Sequence, residues 1–341
     1  MIPEEKMAAV TRGLREAFGV TEFEDIRKIT KSLGSELAFR VVVMGTPYML
    51  QIITRVNEQT DPQKQFTCWR AAAQADLAPR LCYASVEDGI SISELVEAEP
   101  FPIAEALVRI PAALRRLHAL PPFPKTFNYV TAHNGFIWRF RSAGLLPKNE
   151  IDEAFTRYVQ LCAVYPRLDA DMVSCHNNLK PENILFDGDR VRLAGWLAAF
   201  VNDRYFDLAI VANFVVNNDI DETTYLKEYF GQSPDEYQLA RFFLMRQVMH
   251  MLSATVFLLI GSPGGPEGRS EKLPSFRDFH ERVWANEVDL ADNDLRTIYG
   301  RVHWNQLLQN VRQPRFAQSL RIIADQHQSS EDTPLLFPAA P

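Results

Sequence analysis

Ser174 to Val215 reads SCHNNLKPENILFDGDRVRLAGWLAAFVNDRYFDLAIVANFV. Two short β-prone pieces, Ile184–Phe186 and Val191–Ala194, flank Asp187-Gly188, a dipeptide that favours a tight hairpin turn. Ahead of them lies a polar run containing His176, Asn178, Lys180, Glu182 and Asn183. Behind them an apolar stretch predicts a helix over Asp207 to Asn217, with Asp207 placed to cap its N-terminus.

Upstream of this stretch the pattern is mixed. Met7, Val10, Leu14 and Phe18 recur at helical spacing, so residues 4–18 are expected to form a helix. Ala38–Met44 and Tyr48–Ile53 are β-branched and aromatic runs, split by Gly45-Thr46-Pro47, which reads as a hairpin. Pro62 to Ala78 reads as a helix, with proline near its start and no later Pro or Gly. Arg80–Ser85 and Ile90–Leu95 are two further strand candidates. Residues 1–95 thus predict a small β-rich α+β lobe.

Residues 96–328 predict a larger, mainly helical lobe, with helices over Ala104–Leu117, Glu150–Tyr165, Asp207–Asn217, Asp221–Phe230 and Asp235–Ile260. Gly261 to Ser270 reads as a flexible loop, and residues 329–341 as a polar, disordered tail.

Composition narrows the function classes. The chain has 341 residues, a net charge of -7, 47% hydrophobic and 23% charged residues. That is the balance of a soluble globular protein large enough for a sizeable core. An acidic chain without a basic block argues against nucleic acid or an anionic membrane as partner. Cys68, Cys82, Cys162 and Cys175 have no CxxC spacing, so reduced thiols of a cytoplasmic protein are expected. Val248–Ile260 is the most apolar stretch. It is too short and too interrupted to span a bilayer and reads as a core helix.

The quoted stretch resembles the catalytic core of the aminoglycoside phosphotransferase and choline kinase family. There the pattern runs H-x-D-x-x-x-x-N, a hairpin, I-D-W-E, then D-x-x-Y-D-L-A; here His176, Asn183, Trp196, Asp203, Tyr205 and Asp207-Leu208-Ala209 keep the frame. LRRLHALPP at 114–122 and QADLAPRL at 74–81 resemble two further family runs. The resemblance implies a bilobal protein-kinase-like fold, ATP and Mg²⁺ as cofactors, and phosphoryl transfer to a small molecule.

It also implies which positions to inspect. Phosphoryl transfer needs positioned cations and a metal to hold charge on the phosphates. The family's third-strand cation falls on Gln51, which is uncharged. The helix glutamate that would orient the cation has no counterpart between Pro62 and Ala75. The catalytic-loop aspartate falls on Asn178, which accepts a hydrogen bond but cannot act as a base near neutral pH. The metal aspartate falls on Gly195, leaving Asn183 as a weak metal ligand, and the next carboxylate position is Leu197. The phosphate-covering loop, Thr30 to Leu37, retains Gly34 alone, and Glu36 there would repel phosphate if it pointed inward.

His176 is expected to brace the loop, and Asp207 to act structurally. Trp196 reads either as core or as one wall of an acceptor pocket, where its ring could hold a quaternary ammonium. Two readings follow. One is a pseudo-kinase that binds a small molecule or regulates a protein partner whose identity the sequence does not give. The other is an enzyme acting on the hydroxyl of a small neutral or cationic metabolite with Arg55, Lys180 or Glu182 in substitute roles.

Overall fold

A computed structural model describes residues 2–29, 36–57, 60–125, 129–166, 168–262 and 273–327. In chain order the elements are α1 (Glu4–Phe18), β1 (Asp25–Lys28), β2 (Glu36–Val43), β3 (Thr46–Ile53), α2 (Pro62–Gln74), β4 (Leu81–Ser85), β5 (Ile90–Glu94), α3 (Ile103–His118), α4 (Tyr129–Ser142), α5 (Lys148–Cys162), β6 (Met172–Cys175), β7 (Ile184–Phe186), β8 (Val191–Leu193), β9 (Phe200–Asp203), α6 (Arg204–Val215), α7 (Asp219–Phe230), α8 (Glu236–Gly261), α9 (Phe276–Trp284), α10 (Asn293–Val311) and α11 (Pro314–His327). The mixed α+β class is as expected, with the sheet near the N-terminus and helices dominating the rest. The chain divides into two compact units, one of residues 1–101, 116–124 and 174–201, the other of residues 102–115, 125–173 and 202–341.

The first unit is built on an antiparallel five-stranded sheet in the order β1-β2-β3-β5-β4. Strand alternation sorts its side chains: Phe39, Val41, Leu50, Ile52, Ile90 and Ile92 meet Val10 and Leu14 of α1 in an apolar core. The opposite face carries Glu36, Ala38, Gln51 and Ser91, since Ala38 pairs with Gln51 and Gln51 with Ser91.

The β2–β3 turn falls one residue earlier than expected. Val43 pairs with Thr46, so Met44 and Gly45 form the turn, at φ 52° and 74°. A two-residue hairpin turn matching strand twist needs positive φ at both positions, which Gly45 adopts without strain. Helix α2 stops at Gln74 rather than Ala78, because Asp76 turns left-handed at φ 54° and Leu77 N–H bonds back to the Ala72 carbonyl. β1 was not anticipated: its sequence, DIRK, is polar and has no alternation.

The second unit is a helical body around α8, against which α4, α6, α10 and α11 pack. Asp235 caps α8 in a capping box with Gln238, at the boundary the sequence predicts. Among the described residues α8 alone is long and apolar enough to cross a membrane, and 67% of its apolar window is buried in the protein.

Helix α6 corrects one expectation. It begins at Arg204, its N-cap is Asp203, whose side chain accepts from Tyr205 N–H, and Asp207 lies inside the first turn, fully buried. The apolar run extends back through Phe206 and Tyr205, so the cap falls four residues before Asp207. α4, α9, α10 and α11 also went unread. Gly261 is the last residue of α8 and Ser262 its C-cap; the rest of the anticipated loop and the tail lie outside the described residues.

Candidate active site

Every described residue singled out as a catalytic, nucleotide or metal position belongs to the first unit. Gly34 lies outside the described residues.

The loop after β6 is wired to the backbone. His176 is buried; its Nε2 donates to the Ala194 carbonyl at 2.8 Å, which fixes Nε2–H, so Nδ1 accepts from Asn178 N–H at 3.3 Å. With both ring nitrogens engaged, His176 braces the loop. Asn177, left-handed at φ 62°, donates its amide to the Ala198 carbonyl at 3.0 Å and ties the loop to the turn after β8. Asn178 is half-buried, and its side-chain amide has no hydrogen bond to the described residues. Lys180 and Glu182 form an exposed ion pair at 2.7 Å.

Asn183 Nδ2 donates to the Asn178 carbonyl at 2.7 Å, and Ala194 N–H donates to the Asn183 carbonyl at 2.9 Å. Gly195 follows in the left-handed region, at φ 77°. A Cβ added there would lie 2.6 Å from Asn183 Oδ1 and 2.8 Å from Cγ. The space a side chain at 195 would need is filled by the Asn183 amide. The two positions therefore offer one neutral oxygen, and Mg²⁺ prefers carboxylate and phosphate oxygens, so these residues do not fit the ion.

Trp196 is fully buried. Its indole N–H donates to the Leu193 carbonyl at 2.9 Å, and its ring lies edge-on to His176 with centroids 4.7 Å apart. This is the environment of a core residue that seats the loop.

The sheet face beside α2 brings Glu36 together with Gln65, a residue the sequence did not single out. Gln65 of α2, 1% exposed, donates Nε2 to Glu36 Oε1 at 2.6 Å. Burial pushes the Glu36 carboxyl above its usual range, against the smaller effects of Gln65 and the Lys180 charge. Gln51 Oε1 and Gln65 Oε1 are both buried without a donor. Both amides are neutral, so Gln51 and Gln65 bring no positive charge to hold phosphate.

Lys64, next to Gln65 on α2, is 7% exposed, with no ion pair or hydrogen bond among the described residues; burial lowers its pKa. Lys64 and Gln65 sit with Cys68, Trp69 and Ala72 on one stripe of α2, and two polar residues on an apolar stripe were the available signal. Cys68 Sγ donates to the Ala199 carbonyl, and burial pushes this thiol up to about 12. Arg55 is exposed and follows β3, which ends at Ile53, so it does not share the face of Gln51.

Residues 45–243 match the phosphotransferase enzyme family. The chain belongs to that family. No curated protein matches its sequence. Among solved structures, this phosphotransferase-family chain is similar to a choline/ethanolamine kinase family protein from Mesorhizobium loti, at 17% identity and a TM-score of 0.66, over 94% of this chain and 99% of that one. Choline kinase LicA from Streptococcus pneumoniae is 14% identical at a TM-score of 0.56, over 94% and 100% of the two chains. A spectinomycin phosphotransferase in complex with ADP and spectinomycin is 10% identical at a TM-score of 0.58, over 86% and 98%. At these identities the likeness concerns the fold, so activity has to be argued from the site.

Proposed function

We propose that this phosphotransferase-family member does not carry out metal-dependent phosphoryl transfer and acts as a small-molecule-binding or regulatory module. The observation that carries this reading is the packing of Asn183 against Gly195, which puts a neutral amide where a side chain at the second metal position would begin. Asn178 at the base position and Gln51 at the cation position support it. So does Glu36, which keeps a half-buried carboxyl on the face that phosphates would need. Losing one charged catalytic group lowers a rate by roughly 10²–10⁴-fold, and here the groups that act as a unit are absent together.

The test is thermal unfolding of the full chain with ATP, with and without Mg²⁺, together with an assay for ATP consumption. A ligand at 100 times its dissociation constant stabilises by about 2.7 kcal/mol, or several degrees for a chain of this size. We expect no Mg²⁺-dependent shift and no turnover. A shift of several degrees that requires Mg²⁺ overturns the reading.

A second reading rests on Lys64. A buried ammonium without a counter-ion could hold an anion in place of the third-strand cation, making the chain an atypical kinase for the hydroxyl of a small, choline-like or aminoglycoside-like amine. Metal-dependent turnover abolished by Lys64→Met would favour it.

A further inference from the structure

The helical unit contains a cavity of about 780 Å³, within the usual range for small-molecule sites. Its walls include Arg246 of α8, Arg277 and Phe276 of α9, and Val302, Gln306 and Gln309 of α10. Two guanidiniums thus meet one hollow.

Their partners leave most of their donors unused. Each guanidinium carries five N–H groups. Arg246 uses its Nε on Asn213 Oδ1 at 3.3 Å, and its nearest carboxylate, Glu222, stands 3.8 Å from Nη1. Glu222 is already held by Arg315, which donates to its other oxygen. Arg277 donates to the carbonyls of Phe214 and Val216, at 2.6 and 3.0 Å, and so caps the end of α6, but no ion pair to a carboxylate joins it among the described residues. The acidic lining residue, Asp278, is exposed and sits in the capped first turn of α9. Burial lowers the pKa of Arg246 to about 10, and repulsion from Arg277 and Arg315 acts in the same direction. Both arginines remain charged at neutral pH. The lining thus sets two guanidiniums against one carboxylate, Asp278, with Glu281 and Asp221 acting on Arg277 from nearby, in a partly desolvated place beside amides that can donate and an aromatic ring that can cover an apolar group.

We propose that this cavity binds a small organic anion, a carboxylate or a phosphate ester, between Arg246 and Arg277. Guanidiniums recognise planar or tetrahedral oxyanions through paired N–H donors, which an ammonium ligand could not use. The proposal rests on residues of the helical unit, and it stands whether or not the chain transfers phosphoryl groups.

The test is calorimetric titration of the full chain, free of nucleotide and metal, with citrate and separately with inorganic phosphate; choline chloride is the control. We expect one or both anions to bind and choline not to. Arg246→Gln should weaken binding roughly tenfold or more, the effect of losing a charged hydrogen-bond donor. Gln309→Glu, at an exposed position on the rim, places a negative charge in the cavity wall without touching the core and should weaken binding similarly, so the outcome does not depend on Arg246→Gln folding. The two anions distinguish a carboxylate site from a phosphate site. Absence of binding by either at roughly 10 mM, weaker than most specific sites, or equal binding by wild type and Gln309→Glu, overturns the proposal.

Discussion

His250 and His303 face each other Nδ1 to Nδ1 at 3.0 Å, fully buried between α8 and α10. His303 Nε2 in turn meets His280 Nε2 at 3.2 Å, and His280 Nδ1 donates to the Phe276 carbonyl at 2.8 Å. That last bond fixes the direction of the chain. His280 Nε2 must accept, so His303 donates from Nε2 and accepts from His250 at Nδ1, while His250 Nε2 has no donor. All three rings are neutral in this arrangement; a proton added at His303 Nδ1 or His280 Nε2 breaks a link, and one added at His250 Nε2 places an unpartnered charge in the core.

The first prediction follows from this chain. Burial drives all three histidine pKa values down, that of His303 to about 3, and the nearby Arg246 and Arg277 charges push His250 and His280 the same way. Their folded pKa values lie below the unfolded value of about 6.5. The unfolded state therefore binds more protons in acid, and the stabilisation, complete above that pH, is lost as pH falls through it. Urea denaturation should show stability dropping between pH 7 and 5, by up to about 1.4 kcal/mol per pH unit for each histidine. A flat profile across that window would contradict the neutral chain.

Glu36 has the opposite sign. Its folded pKa lies above its unfolded value, chiefly through burial, so its charge is unfavourable at neutral pH and the penalty is relieved in acid. Glu36→Gln should raise the melting temperature at pH 7 and change it little near pH 4. Destabilisation at pH 7 would mean that Lys180 outweighs burial at this carboxyl.

Gly195→Ala should destabilise the chain by about 1–3 kcal/mol, combining left-handed backbone strain with the contact on Asn183. Gly195→Asp should lose a similar amount, and without a rotated Asn183 it should give no Mg²⁺-dependent thermal shift with ATP. A gain of metal-dependent ATP binding in that single variant would show that the asparagine yields readily.

In the helical unit Arg241, fully buried, donates to Asp203 at 2.6 Å and also to Asp171, with its guanidinium over the rings of Tyr165 and Tyr205. Arg241→Met leaves the buried Asp203 carboxylate without its close cation, while Asp171 keeps Arg204 at 3.1 Å, and should destabilise by about 3–5 kcal/mol in a denaturation experiment. Arg241→Met combined with Asp203→Asn should lose less than the sum of the two single changes.

The parts legible in the sequence were those whose signal is local. The hairpin around Gly188, the capping box of α8 and the amphipathic α1 each carry their pattern within a few residues. The family frame at 174–215 was also legible, because it keeps residue types at fixed spacing. Asp203 and Asp207 both precede apolar residues, so choosing the cap required knowing how far back the helix runs. Glu36 and Gln65 stand 29 residues apart and become partners when β2 and α2 are brought together. Arg241 reads as a polar residue in an apolar helix, and its two aspartates come from distant segments. The crowding at Gly195 was hidden for the same reason: a missing carboxylate is visible in a sequence, but an amide filling its place is not.

The first unit is assembled from three separate stretches of chain. Synthesis therefore delivers its sheet long before its last pieces. Leu77 waits for Leu193, Glu99 for Phe186, and Cys68 for Ala199. About a hundred residues must still emerge after Phe101, and at ~5–20 residues per second that takes several seconds or more. Throughout that interval α2 meets β4 but lacks the cover that residues 196–199 later give it, so part of its apolar stripe stays open on the nascent chain.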